Sequence, residues 1–298
     1  MADTLVQDVT NIMASYRDLV KRNPTYTDPD GNKVEFSFSD LTSIRKVIEA
    51  MKLADYYYLS DEFSHMIEEW YSQYDGLEPE DIRVSEFTRT PSDLTFIKSD
   101  IWLNKEGKSY TPSKQPPNYV DGYLCQRTED GTVIVMFVGT NAIPQAIGSY
   151  HPTDGVVMGE RFQRLTVGNK IGWKQMLLVV AACCEIINHP RFVTASPAGT
   201  RQQRKYAKRA EGIAVEAWHK ISWDINKPVQ AKGNQGTSGY SMPLHYTRGY
   251  FRKAKEHWND VVQWKDGTWK KWVEGYWAGH PAFGIKKGYH APTVGVSK

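Results

Sequence analysis

Two segments near the end of the chain hold its densest polar chemistry. One is Leu244-His245-Tyr246-Thr247-Arg248-Gly249-Tyr250-Phe251-Arg252 and the other Gly275-Tyr276-Trp277-Ala278-Gly279-His280. Cleavage of RNA without a metal needs a general base, a general acid and cations facing the phosphate transition state. His245 and His280, with Arg248 and Arg252 beside them, are the residues of the right type, and the two histidines are the only catalytic candidates. Metal chemistry has a weaker footing. Asp224, Glu256, Asp260, Asp266 and Glu274 follow no ligand spacing. His189, Cys183 and Cys184 border or sit inside an apolar helix, where adjacent cysteines read as core. No metal and no cofactor is expected. The chain has no GxxxxGK[ST] loop, no strand-linked GxGxxG, no HExxH and no GxSxG, which weakens nucleotide hydrolase, dehydrogenase, zinc protease and α/β-hydrolase readings.

The same residues suit nucleic-acid binding. On a strand, side chains alternate between faces. A single strand over 243–252 puts His245 and Thr247 on one face and Tyr246, Arg248, Tyr250 and Arg252 on the other. A strand over 268–277 groups Trp269, Lys271 and Trp277, with Lys270, Trp272, Tyr276 and His280 opposite. Cations neutralise phosphates and gain from counterion release, and aromatic faces stack on bases. The expected contacts are Tyr246, Arg248, Arg252, Lys271 and Trp277, with Arg201, Arg204, Lys205, Lys208 and Arg209 holding the backbone without sequence preference. Whether the partner is DNA or RNA stays open.

Composition places these residues in a polarised chain. Of 298 residues, 40% are hydrophobic and 24% charged, as in ordinary globular proteins. Residues 1–189 carry 18 Lys+Arg against 27 Asp+Glu, and residues 190–298 carry 19 against 7. Seven of the ten tryptophans lie after residue 213. A split this large suggests two surfaces with different partners; mutual attraction between the halves during folding is the plainer alternative. Three cysteines, Cys125, Cys183 and Cys184, without CxxC spacing argue against a disulfide framework. The first residues, acidic and without a basic n-region, do not read as a secretory signal. The longest apolar run, Met176 to Cys184, falls far short of the roughly 20 residues that cross a bilayer. A cytoplasmic protein without membrane contact is expected.

Periodicity then predicts the elements. Apolar residues at helical spacing mark helices over 4–21, 41–54 (capped by Asp40) and 61–74 (capped by Ser60). Lys33–Ser39 reads as a strand and Lys105–Tyr119 as a loop. Gly122–Arg127 and Val133–Val138 flank TEDGT as a hairpin. His151–Gly159 reads as a loop, 162–167 as a third strand, and 170–188 as a helix apolar nearly all round, hence central to a core. Ser196–Gly212 is a linker or a surface helix. Ala217–Ile225 reads as a strand, Asn226–Ser241 as a mobile loop, and Val261–Trp264 precedes a KDG turn. The expected class is α+β: an acidic helical region over 1–104, a mixed α/β region over 105–189 with the hairpin and the buried helix, and a basic β-rich C-terminal module over 190–298.

The pair PLHYTRGYFR and EGYWAGH resembles a C-terminal signature of bacteriophage-encoded proteins of unassigned function, in which a His, an Arg-Gly pair and a later Trp–x–x–His recur. Here they fall on His245, Arg248-Gly249, Trp277 and His280. The upstream IINHPRF, the basic RQQRKYAKR stretch and AWHKISWDI follow the same arrangement, so the likeness covers about residues 180–285. It departs at Tyr250, where a His is common, and at Pro281-Ala282. The resemblance implies a phage origin and a host-cell cytoplasm. The leading expectation is a phage-type nucleic-acid-binding protein acting through its basic aromatic end. The alternatives are a metal-independent endoribonuclease using His245 and His280; an interaction protein inhibiting a host defence or transcription factor through an acidic front that includes Asp55, Asp61, Glu62, Glu68 and Glu69; and a virion component.

Overall fold

The computed structural model describes residues 5–22, 25–27, 33–35, 38–74, 77, 82, 84–103, 108–110, 121–140, 144–151, 155–158, 170–189, 191–224, 242–247, 249–259, 261–263, 267–273 and 275–285. The fold is α+β, with the first helices near the N-terminus and strands throughout the C-terminal part. It divides into two compact units, residues 1–222 and 223–298.

In the first unit the N-terminal apolar stripe becomes helix α1 (Leu5–Arg22), which buries Leu5, Val9, Ile12, Met13 and Tyr16 along one side. A short antiparallel pair follows, β1 (Thr25–Thr27) with β2 (Lys33–Glu35). Helix α2 (Phe38–Leu53) starts two residues before Asp40, the expected cap, and buries Ile44, Val47, Ile48 and Met51. Strand β3 (Asp55–Leu59) and helix α3 (Ser64–Tyr71) come next, the helix flanked by 3₁₀ turns over Asp61–Phe63 and Ser72–Tyr74. Ser60 occupies the cap position ahead of the first turn, but its hydroxyl makes no capping bond. Then come β4 (Leu94–Ser99), a small pair β5 (Trp102–Leu103) with β6 (Ser109–Tyr110), β7 (Asp121–Arg127), β8 (Val133–Gly139), β9 (Gln145–His151) and β10 (Gly155–Met158). Helix α4 (Lys170–Ile187), β11 (Val193–Pro197), α5 (Arg201–Glu211) and β12 (Trp218–Trp223) complete it.

Eight of these strands form one mixed sheet in the order β10-β9-β8-β7-β4-β3-β12-β11. β3 runs parallel to both β4 and β12, while β4, β7, β8, β9 and β10 pair antiparallel in succession. Register sets a row of side chains across its middle: Trp218, Tyr56, Phe96 and Leu124 are successive Cα partners. Tyr56 stacks on Trp218 at 4.4 Å and packs on Phe96 at 5.3 Å. α1, α2 and Ala207 of α5 cover this row. Burying each of these large apolar side chains contributes roughly 1.5–3 kcal/mol. On the other face, Cys184 of α4 meets Tyr150 of β9 at 3.7 Å, and Leu177 to Cys184 are all buried. Burial pushes the thiols of Cys125, Cys183 and Cys184 well above their ordinary value, the last to about 12. These are core groups rather than nucleophiles.

Several expectations change here. The predicted loop 151–159 contains β10, which doubles back on β9. Within the predicted loop 105–119, Ser109 and Tyr110 are a strand. The strand predicted over 162–167 and the loop predicted over 226–241 lie outside the described residues. The basic stretch after Ser196 is a helix, and β11, α5 and β12 belong to the same unit as the acidic front. The region boundaries expected at 104 and 189 both lie within residues 1–222. Among the described residues no helix is long and apolar enough to cross a membrane.

The second unit holds two three-stranded sheets. One has the order β17-β13-β18, from β13 (Pro243–Thr247), β17 (Tyr276–Ala278) and β18 (His280–Ile285). The other has the order β14-β16-β15, from β14 (Tyr250–Lys253), β15 (Val261–Gln263) and β16 (Trp269–Val273).

Candidate nucleic-acid interface

The strand predicted over 243–252 is two strands in two different sheets. Gly249 lies at the break, and the Trp272 indole lies so close that a Cβ at position 249 would stand 2.4 Å from its ring. The strand predicted over 268–277 also divides, into β16 and β17. Tyr246 and Arg252, expected to share a face, therefore belong to separate sheets, as do Trp277 and Lys271.

In the β17-β13-β18 sheet the inward positions of β13 are Leu244 and Tyr246. Tyr246 pairs with Trp277 across the strands, the rings meeting edge-on at 5.0 Å, and both are buried. These two expected base-stacking residues pack against each other instead of facing solvent. The chain crosses from one side of β13 to the other at Gly279, where φ is +86° and a Cβ would fall 2.1 Å from the Pro243 carbonyl oxygen. Only glycine fits there. This crossing carries His280 to the start of β13, where its backbone N–H donates to the Met242 carbonyl at 3.1 Å.

The two histidines are engaged with backbone. His280 is 4% exposed, and its Nδ1 accepts the Ala282 N–H at 3.1 Å. His245 is half-buried, and its Nδ1 donates to the Pro243 carbonyl at 3.0 Å. Each has one ring nitrogen committed to its own segment, and the burial of His280 removes it from an open phosphate site. Arg248 lies outside the described residues.

The β14-β16-β15 sheet is more open. Phe251 pairs with Trp272, Lys253 with Lys270, and Val262 with Lys270. Directly opposed residues share a face, so Phe251, Lys253, Val262, Lys270 and Trp272 lie on one side. Phe251 and Trp272 are each 46% exposed and Val262 59%. The Phe251 and Trp272 rings are 4.8 Å apart and inclined by 61°. Lys270 and Trp272 do share a face, as the alternation predicts. Sequence reasoning did not join Phe251, Lys253 and Val262 to them. The KDG expected as a turn was the one signal in the sequence, and its Lys265 and Asp266 lie outside the described residues; the break at Gly249 left none.

The reverse side holds the expected contacts Arg252 and Lys271, which are direct cross-strand partners. Like charges so placed repel, and the connection over 254–259 offsets this. The Arg252 guanidinium lies 5.2 Å from the Trp258 ring centre, a cation–π contact, and Lys271 Nζ donates to the Asn259 carbonyl at 3.1 Å.

The remaining expected contacts are on α5 of the first unit. Thr200 caps it with a full capping box to Gln203. Its inner side buries Ala207 and Glu211, and Glu211 accepts an ion pair from Arg17 at 2.6 Å. Arg201, Lys205, Lys208 and Arg209 are exposed and Arg204 is half-buried. Their spacing of three and four residues gathers them on one arc, from which the helix's single acid is withdrawn. In the acidic front, Asp61 and Glu62 are exposed, Glu68 faces His65 at 3.5 Å, and Asp55 is half-buried. Among the described residues no group of three or more His, Cys, Asp or Glu side chains is arranged to hold a metal ion. No protein-family model matches the chain, and neither a curated protein nor a solved structure matches it.

Proposed function

We propose that this protein binds nucleic acid through the face of the β14-β16-β15 sheet that carries Phe251, Lys253, Val262, Lys270 and Trp272. The observation that supports it most is the exposure of three large apolar side chains beside two lysines on one small sheet. Clustered apolar exposure of this kind supports a contact surface, and the lysines favour a partner of negative charge. A polyanion built of rings and phosphates meets both requirements: ammonium groups displace counterions from phosphates while the rings contact bases. The wider charge agrees, since residues 223–298 carry twelve Lys+Arg and five Asp+Glu.

The test is titration of the full chain with fluorescently labelled oligonucleotides across a salt series. Binding should weaken steeply from about 50 to 200 mM salt. Replacing Lys253 and Lys270 together by alanine should reduce the salt slope by roughly 1 for each phosphate that is no longer neutralised. Absence of binding at low salt, or a slope unchanged in the double variant, would contradict this reading.

A further inference from the structure

We infer that this face selects unpaired bases, so that its ligand is a single strand rather than a duplex, and that Gly249 is the residue that positions the selecting ring. The inference rests on the reading above and deepens it. Phe251 and Trp272 face each other across adjacent antiparallel strands, and neither ring lies flat on the other. Nearly half of each remains open to solvent. In a duplex the base faces are already covered by their neighbours in the stack, so such rings gain little from it. Splayed bases of a single strand present free faces.

The lysines stand where the backbone of such a strand would run. Lys253 and Lys270 form the next same-face pair along β14 and β16, two residues from Phe251 and Trp272, hence about 7 Å away. An aromatic pair beside a cationic pair matches a chain whose bases and phosphates lie side by side. Gly249 gives Trp272 its seat: the indole occupies the space a side chain at 249 would need. Any larger residue there would push the ring from its place opposite Phe251.

The experiment compares four probes against the full chain: an oligothymidylate, an oligouridylate, the oligothymidylate annealed to its complement, and an abasic deoxyribose-phosphate strand of equal length. At least one single strand should bind about tenfold or more tighter than the duplex and the abasic strand. Trp272→Leu and Phe251→Leu should each bring the affinity for that strand down to the level of the abasic strand. Gly249→Val should act in the same direction with both rings still present. Circular dichroism and thermal unfolding check each variant, and Phe251→Leu, which keeps apolar bulk, carries the test if Trp272→Leu misfolds. Equal binding of all four probes, or tighter binding of the duplex, overturns the selection while leaving nucleic-acid binding in place. Failure of every probe to bind at low salt overturns both.

Discussion

Glu185 sits on an otherwise apolar stretch of α4, 1% exposed, and its carboxylate accepts the Trp70 Nε1–H at 2.7 Å and the Ser85 hydroxyl at 3.2 Å. His189 Nε2 lies 3.7 Å from its other oxygen. A buried polar group is tolerated only with such partners. Glu185→Ala should cost about 2–4 kcal/mol, because it leaves two buried donors without an acceptor. Chemical denaturation measures this, and Glu185→Gln should recover part of the loss. An unchanged stability would mean the donors find other acceptors. The sequence displays Glu185 plainly, but its partners lie 100 and 115 residues away, and no local pattern joins them. The same limit applies to Tyr246 and Trp277. Their aromatic character was readable as a contact surface, yet only the pairing of β13 with β17 turns them inward.

Elements with a local cause were legible. α1, α2 and α4 follow from apolar periodicity, and the β7–β8 hairpin from the turn at Gly131, where φ is +92°. The strands β3 and β4 were not. They form the parallel core of the sheet, and DYYYL and LTFIKS lack the polar alternation that marks a half-exposed strand. Parallel pairing also places His219 of β12 beside Tyr57 of β3, the rings 4.8 Å apart. Desolvation holds the His219 imidazole below its ordinary value of 6.5, with Asp55 opposing. The folded state thus prefers neutral His219. Its contribution is complete above about pH 6.5 and is lost as pH falls through the lower folded value. Thermal stability should decline as pH falls below about 6.5, and His219→Phe, which keeps a ring against Tyr57, should flatten part of that decline. An identical pH profile for the variant would show that other groups set it.

At the scale of the molecule, the charge polarity of the sequence and the division into units do not coincide. Residues 190–222 carry seven Lys+Arg and two Asp+Glu, yet they fold with the acidic front. The aromatic and cationic surface of residues 223–298 stands as a separate matter, set by two small sheets that the sequence presented as longer strands. The central claim is that one face of the β14-β16-β15 sheet contacts nucleic acid. Photo-crosslinking of the full chain to an oligonucleotide bearing halogenated uracil, with the linked peptides located by mass spectrometry, tests it most directly. Crosslinks at Phe251 and Trp272 that disappear in high salt are the expected result. Crosslinks confined to α5 or to the acidic N-terminal helices, with none on β14 or β16, would contradict it.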